Sequence, residues 1–397
     1  MLAGEPSGDL HAAALVRAMR RRCPRLRFTG LGGDRLQDEG VEILHHTDQL
    51  AVMGFAEVVR HLPRMLRVMG DVRSFLHAHR PRLMICVDYP GMNLRVAREA
   101  AELGIPVLYY IAPQVWAWHE ERVRELAEFT DVIGCVLPFE PEFFRTKGAE
   151  LGVEPRAEFV GHPLVHAARP RVDAAQFRAE MLLPPDVTIL ALLPGSREQE
   201  VSRLLPPMLE AMGLLRRERP GLVPILCAAP GLERERYEKI VSKGPLLPAP
   251  AVPDGPTHAP GGGLHIVAGR TYDVLNAARG ALVASGTATL ETGLLGIPMV
   301  IAYRMSPLSW RIGRARVKVP HVGLVNLVAG ERVVPELLQE EATPGRMAAE
   351  LGALMDEGPD RHRVLEGLAA VRAELGEEDA PERGAELAME LLEWEGP

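Results

Sequence analysis

An α/β fold of two doubly wound domains is what this sequence predicts, and three observations carry the prediction. Short runs rich in Val, Ile and Leu alternate with longer stretches of helical periodicity, the pattern of parallel strands covered by helices on both faces. The alternation occurs twice, interrupted by proline and charge between Gly161 and Val187. A length of 397 residues exceeds what one core supports, and 47% apolar residues suffice to fill two.

In chain order, the apolar runs predict strands at Arg27–Thr29, Leu83–Val87, Val107–Ile111, Val132–Val136 and Glu158–Val160. A second series follows at Thr188–Leu193, Val223–Cys227, Leu264–Val267, Ala281–Ala284 and Met299–Ala302. The predicted division is residues 1–184, residues 185–375 and a C-terminal helix, 376–397, packing on the first domain. Gly244–Gly263 is dense in Pro and Gly and reads as an exposed loop inserted in the second domain. The tail from Arg346 to Trp394 reads as helical, with breaks at Gly358-Pro359 and around Pro381.

Composition narrows the function classes. Cys23, Cys86, Cys135 and Cys227 lie far apart without ligand spacing, so neither a disulfide framework nor a zinc site is expected. The thirteen histidines form no ligand set; His45, His46, His77 and His79 read as exposed, and His11 and His162 as structural. A net charge of −8 argues against nucleic acid as a partner. No basic n-region with an apolar core opens the chain, and no run reaches the roughly 18 to 20 apolar residues of a membrane span.

Two stretches of the second half carry chemistry. In LALLPGSREQEV (Leu190–Val201) a strand, a Pro-Gly turn and a helix starting at Ser196 follow in order; Ser196 and Gln199 have capping-box spacing. Free N–H groups at that helix start, with Arg197 beside them, suit a diphosphate. In ALVASGTATLETG (Ala281–Gly293) a strand ends at small residues, Ser285-Gly286-Thr287, and Glu291 sits one helical turn further on. Such a turn accepts phosphate and such an acid accepts ribose hydroxyls. Neither GxGxxG nor GxxxxGK[ST] is present, so dinucleotide and P-loop readings lose support.

In the first half, Asp88 follows directly on the strand of LMICVDYPGMN, at the edge where open α/β sheets place ligands. Between Leu50 and Leu76 a basic, apolar stripe includes Val58, Leu62, Met65, Met69, Val72 and Leu76, flanked by Arg60, Arg64, Arg67 and Arg73. It reads as a membrane-surface segment or as an ordinary core face, divided at Pro63.

The strings AGEPSGDLHAA, LAVMGFAEV, VDYPGMN, PQVWAW, LPFE, GHP, LLPGSREQEV, SGTATLE, YRM and NLVAG…PELLQEE, in that order, resemble lipid-A-disaccharide synthases. The resemblance spans nearly the whole chain and implies a GT-B fold, two Rossmann-like domains with a cleft between them. It implies a bacterial, inverting, metal-independent transferase that needs no cofactor. Donor and acceptor would be UDP-2,3-diacylglucosamine and 2,3-diacylglucosamine 1-phosphate, and the products a β-1,6-linked disaccharide 1-phosphate and UDP.

On this resemblance Asp88 is the expected base and Arg197 the group that stabilises the leaving diphosphate. Ser196, Ser285, Gly286, Thr287, Glu291, Asn326 and Gln339 would hold the UDP-sugar. Glu5, Ser7 and Asp9 would face the acceptor, with Asp9 a second base candidate or a helix cap. Val58, Leu62, Met65 and Met69 would meet acyl chains in peripheral contact with the cytoplasmic face of the inner membrane. A homodimer is an allowed assembly. The alternatives are another UDP-sugar enzyme of the same fold, such as a UDP-N-acetylglucosamine 2-epimerase, and a non-catalytic lipid- or nucleotide-binding relative. Relatives carry several more strand residues before AGEPSGD, so Met1-Leu2-Ala3 is expected to be a shortened strand, too short to pair well in the centre of a sheet.

Overall fold

In the computed structural model, residues 1–49, 55–184, 186–245, 263–306, 310–311, 313 and 319–393 are described, with backbone alone at 49 and 55–62. The chain forms two compact units, Met1–Pro163 with Glu377–Pro397, and Leu164–Gly376. The expected loop Gly244–Gly263 falls almost wholly outside the described residues, as does Trp394.

The first unit holds a seven-stranded sheet: β1 (Leu2–Ala3), β2 (Thr29–Gly32), β3 (Glu42–His46), β4 (Met84–Val87), β5 (Val107–Tyr110), β6 (Val132–Cys135) and β7 (Ala157–Phe159). All neighbours are parallel, in the order β3-β2-β1-β4-β5-β6-β7. The two-residue β1 sits in the centre: Leu2 pairs with Leu31 and Cys86, and Ala3 with Val87. Met1 extends the pairing, its N donating to the Thr29 carbonyl and its own carbonyl accepting from Leu31 N, both at 2.9 Å. Gly30 permits this, since a Cβ there would lie 1.8 Å from the Met1 carbonyl oxygen. The polar edge strand β3 was not expected, and it contains His45 and His46.

The second unit holds a six-stranded sheet: β8 (Thr188–Leu193), β9 (Leu222–Ala228), β10 (His265–Ala268), β11 (Ala278–Ala284), β12 (Met299–Tyr303) and β13 (Glu336–Leu338). Its parallel order is β10-β9-β8-β11-β12-β13. Residues 164–184, expected with the first domain, sit in this unit. Phe177 is buried, Arg178 donates to the Val187 and Ala277 carbonyls, and Arg171 N donates to Asp273 at 2.6 Å.

Helix Phe55–His79 runs through Pro63 without dividing. Val68, Val72 and Leu76 are buried in the first unit's core and Met69 packs against it. Met69 is thus partly covered by that core. The Val58 and Leu62 side chains lie outside the described ones, Met65 is half-buried, and Arg64, Leu66 and Arg67 are exposed. Helix Ala380–Glu393 belongs to the first unit, packing against helix Pro6–Arg22 with Gly384 over the Tyr110 ring. Arg22 pairs with Glu382 and Glu386, and Arg383 with Glu158.

Candidate active site

An open parallel sheet binds ligands outside the carboxyl ends of its strands, at the point where strand order reverses. In the first sheet that point lies between β1 and β4. The loop Gly4–Glu5 leaves β1 there and Asp88-Tyr89 leaves β4, so the topology brings together two strings that are distant in sequence. Their approach is close: a Cβ on Gly4 would lie 2.4 Å from the Tyr89 ring.

Asp88 and Tyr89 both have φ of +47°, and Ile111, just beyond β5, has φ of +63°. Left-handed backbone is rare for such residues and collects at sites where surrounding structure enforces it. Around Asp88 the enforcement is visible. Its carbonyl accepts from Asn93 Nδ2 and from the Tyr109 hydroxyl, each at 2.7 Å. The carboxyl group is not spent on capping the helix Pro90–Glu102, which has no side-chain cap. Burial raises its pKa, and the nearby Glu5 charge raises it further, against an N–H bond from Tyr89. A carboxyl group poised toward neutrality at a sheet edge is suited to exchange a proton.

Asp9 behaves differently. It is buried, and its carboxylate accepts from Gly33 N at 2.6 Å, Arg35 N at 3.0 Å and Leu36 N at 3.2 Å. It therefore caps the helix Asp34–Asp38, a segment remote in sequence, and is no longer a base candidate. Glu5 and Ser7 are exposed beside Asp88's edge. His162 is buried and pushed down to about 4, by desolvation and then by His11, which burial also lowers.

The second sheet reverses order between β8 and β11. The turns Pro194–Arg197 and Ser285–Thr287 leave those two strands side by side. The helix after the first turn starts at Glu198, one residue past Arg197, not at Ser196. The expected Ser196–Gln199 box gives way to Glu200, whose Oε2 accepts from Ser196 N at 3.0 Å and Arg197 N at 3.2 Å. These N–H groups are thus not free, as the spacing had suggested. Glu200 also pairs with the Arg197 guanidinium at 3.0 Å, yet that side chain stays 74% exposed. An exposed pair of this kind contributes about 0 to 1 kcal/mol, so it holds the arginine only loosely.

Gly286 adopts φ of +146°, open only to glycine, and caps the helix Thr287–Leu294, while Ser285 Oγ donates to the Val322 carbonyl at 2.6 Å. Glu291 accepts from the Tyr272 hydroxyl at 2.7 Å, and burial raises its pKa. Tyr272 gave no signal in the sequence, since its partner lies far along the chain. Asn326 is wholly buried and spends its amide on the fold: Nδ2 donates to the Val334 carbonyl and to Glu336, both at 2.9 Å, and Oδ1 accepts from Val334 N at 3.0 Å. It clamps the segment after β12 and has no donor left for a nucleotide. Gln339, with φ of +50°, is buried beside the Met305 backbone, with which its amide, turned over, exchanges two hydrogen bonds at 3.2 and 3.1 Å. Among the described residues no group of three His, Cys, Asp or Glu could hold a metal ion.

Comparison with known proteins fits this geometry. The sequence model described as Lipid-A-disaccharide synthetase matches residues 1–366. The lipid-A-disaccharide synthase of Myxococcus xanthus is 42% identical over 392 residues, covering 99% of this chain and 97% of that protein. Among solved structures, the glycotransferase of kitacinnamycin has a TM-score of 0.63 at 17% identity and covers 98% of each chain. The UDP-GlcNAc 2-epimerase from Neisseria meningitidis, bound to UDP-GlcNAc, has a TM-score of 0.59 at 10% identity, covering 98% of this chain and 97% of that one. These structural likenesses place the two units in the GT-B fold.

Proposed function

Because this chain belongs to the lipid-A-disaccharide synthetase family and is a glycosyltransferase, we propose that it transfers 2,3-diacylglucosamine from its UDP ester to the 6-hydroxyl of 2,3-diacylglucosamine 1-phosphate. The observation that carries the assignment of parts is the coincidence of both candidate sites with the reversal points of their sheets.

Asp88 takes the proton of the acceptor hydroxyl as its oxygen attacks the anomeric carbon. The bond from that carbon to the β-phosphate oxygen breaks, and UDP departs with the electron pair. Inversion gives the β linkage. Negative charge builds on the diphosphate, and Arg197 with the turn Ser285-Gly286-Thr287 supports it, arginine's planar fork matching a phosphate. Glu291, fixed by Tyr272, takes the ribose hydroxyls. Asn326 and Gln339 support this edge by shaping its backbone.

The test is incubation with both acylated substrates. Disaccharide 1-phosphate and UDP are expected in equal amounts, and Arg197→Ala is expected to lower kcat by about a hundredfold or more, the scale of removing one transition-state donor. Release of UDP without disaccharide would exclude the transfer. Epimerised sugar nucleotide instead would favour the epimerase reading.

Acylated substrates bring the protein to a lipid surface, and we place it as a peripheral protein on the cytoplasmic face of the inner membrane. No helix among the described residues is long and apolar enough to cross a membrane. The exposed Arg64, Leu66 and Arg67 offer a basic, partly apolar contact. Replacing Arg64 and Arg67 by Glu and Leu66 by Ser is expected to release the protein from anionic vesicles in a sedimentation assay. Unchanged binding by the folded variant would exclude this face.

A further inference from the structure

Strands β4, β5 and β6 are consecutive neighbours in the first sheet, so the segments leaving their carboxyl ends share one rim. Asp88 leaves β4, the turn Val115–Trp118 follows β5, and Val136–Glu140 follows β6. The last two are joined through Glu140. Glu140 is completely buried; its Oε1 accepts from Trp116 Nε1 at 3.0 Å, and its Oε2 accepts from Val136 N and Leu137 N, both at 2.9 Å. Trp116 itself is buried, with the Phe139 ring edge-on at 5.2 Å between centroids.

All three partners of Glu140 are donors with no acceptor capacity of their own, so they favour the ionised carboxylate, whose two oxygens accept all three bonds and leave no acid proton without an acceptor. A buried charge is costly, and one held only to cap a helix has simpler substitutes in serine or threonine. What a carboxylate adds here is a bridge, since its second oxygen reaches the neighbouring turn. Burial pushes Glu140 up to about 7, against its three hydrogen bonds, and the Asp88 charge adds a smaller rise. Cys135, whose thiol is raised by burial and further by Glu140, is a second titratable group near it.

The geometry points to Glu140 as a positioning residue for the transfer reaction: by tying Trp116 to the turn after β6, it fixes the rim beside Asp88 on which the acceptor sugar is held. The assignment rests on the reading of that rim as the acceptor side. It differs from Asp88's role because Glu140 faces inward, with both oxygens occupied, and acts through the indole and the backbone.

The experiment uses the whole chain with Trp118, Trp310 and Trp394 changed to Phe, so that Trp116 alone emits. Glu140→Gln keeps the shape but can accept from only one of the two turns, its amide N–H groups facing donors. The expected result is a shifted Trp116 emission, KM for the acceptor raised about tenfold or more, KM for the UDP-sugar within about twofold, and little change in kcat. Trp116→Phe, which removes the indole donor and keeps the ring, is expected to raise the acceptor KM similarly and serves if Glu140→Gln fails to fold. Acceptor KM within twofold of the parent in the folded variants overturns the proposal, as does an equal rise for the donor. Asp88→Asn run in parallel separates the two claims: retained turnover there would remove Asp88 as base, while the acceptor KM of Glu140→Gln still decides the positioning role.

Discussion

Asp88→Asn is expected to lower kcat by about two to four orders of magnitude, the range contributed by a positioned general base, while the protein remains folded. Asparagine suits the test because it adopts the left-handed backbone that Asp88 holds at φ +47° more readily than other residues do. The Asn93 and Tyr109 bonds go to the carbonyl of residue 88 and do not depend on its side chain. The change therefore removes the proton acceptor and little else. Stability gives a second reading with an opposite sign. Burial and Glu5 raise the Asp88 pKa above its unfolded value, so between those two values the folded state holds a proton that the unfolded state has lost. Stability from this group therefore falls as pH rises through the window and stays low above it. Asparagine carries no such cost, and at pH 8 the variant is expected to melt at the same temperature or higher. The wild-type pH profile of kcat/KM should show its acid limb above the ordinary carboxylate range. A limb at the usual aspartate value of about 4, or turnover within tenfold of wild type in the variant, would remove Asp88 as the base.

The parts of this molecule that the sequence made legible are those whose signal is local. Thr188–Leu193 is strand β8 residue for residue, because a central parallel strand is apolar throughout. The edge strands β3 and β13 were missed for the converse reason: EILHH and ELL mix polar residues into a pairing that only one neighbour completes. Residues 164–184 were placed on the wrong side of the boundary, since Phe177 must be buried somewhere but nothing local says against which core. The candidate site proposed above divides in the same way. Asp88 and the turn Ser285–Thr287 could be found because a strand end and small residues mark them. Tyr272 with Glu291, Glu140 with Trp116, and Asn326 with Glu336 could not, because each pair is made by the fold across 10 to 24 residues of sequence. Even the short-range case slipped: Glu200 and not Gln199 closes the helix start, since the helix begins two residues after Ser196.

Asp9 shows what such a slip means for an experiment. Sequence position makes it look like a second base beside Asp88, whereas its three accepted N–H bonds make it a structural brace between helix Pro6–Arg22 and helix Asp34–Asp38. Asp9→Ala strands the N–H groups of Gly33, Arg35 and Leu36 near buried Leu36, and removes the carboxylate that accepts all three bonds at that helix start. Each unsatisfied buried donor costs about 1 to 3 kcal/mol, so a total loss of about 3 to 5 kcal/mol is expected, a large share of a typical domain's stability. The carboxylate sits directly against the backbone it braces: a Cβ on Gly33 would lie 2.8 Å from Asp9 Oδ2. Asp9→Asn should recover only part of the loss, because its amide nitrogen would face a donor. The measurement is the urea midpoint of the first transition together with kcat at low temperature. A large fall in the midpoint with kcat per folded molecule within about tenfold of wild type fits a brace. An unchanged midpoint with kcat reduced as far as in Asp88→Asn would return Asp9 to the chemistry, and the roles drawn for the two aspartates would have to be exchanged.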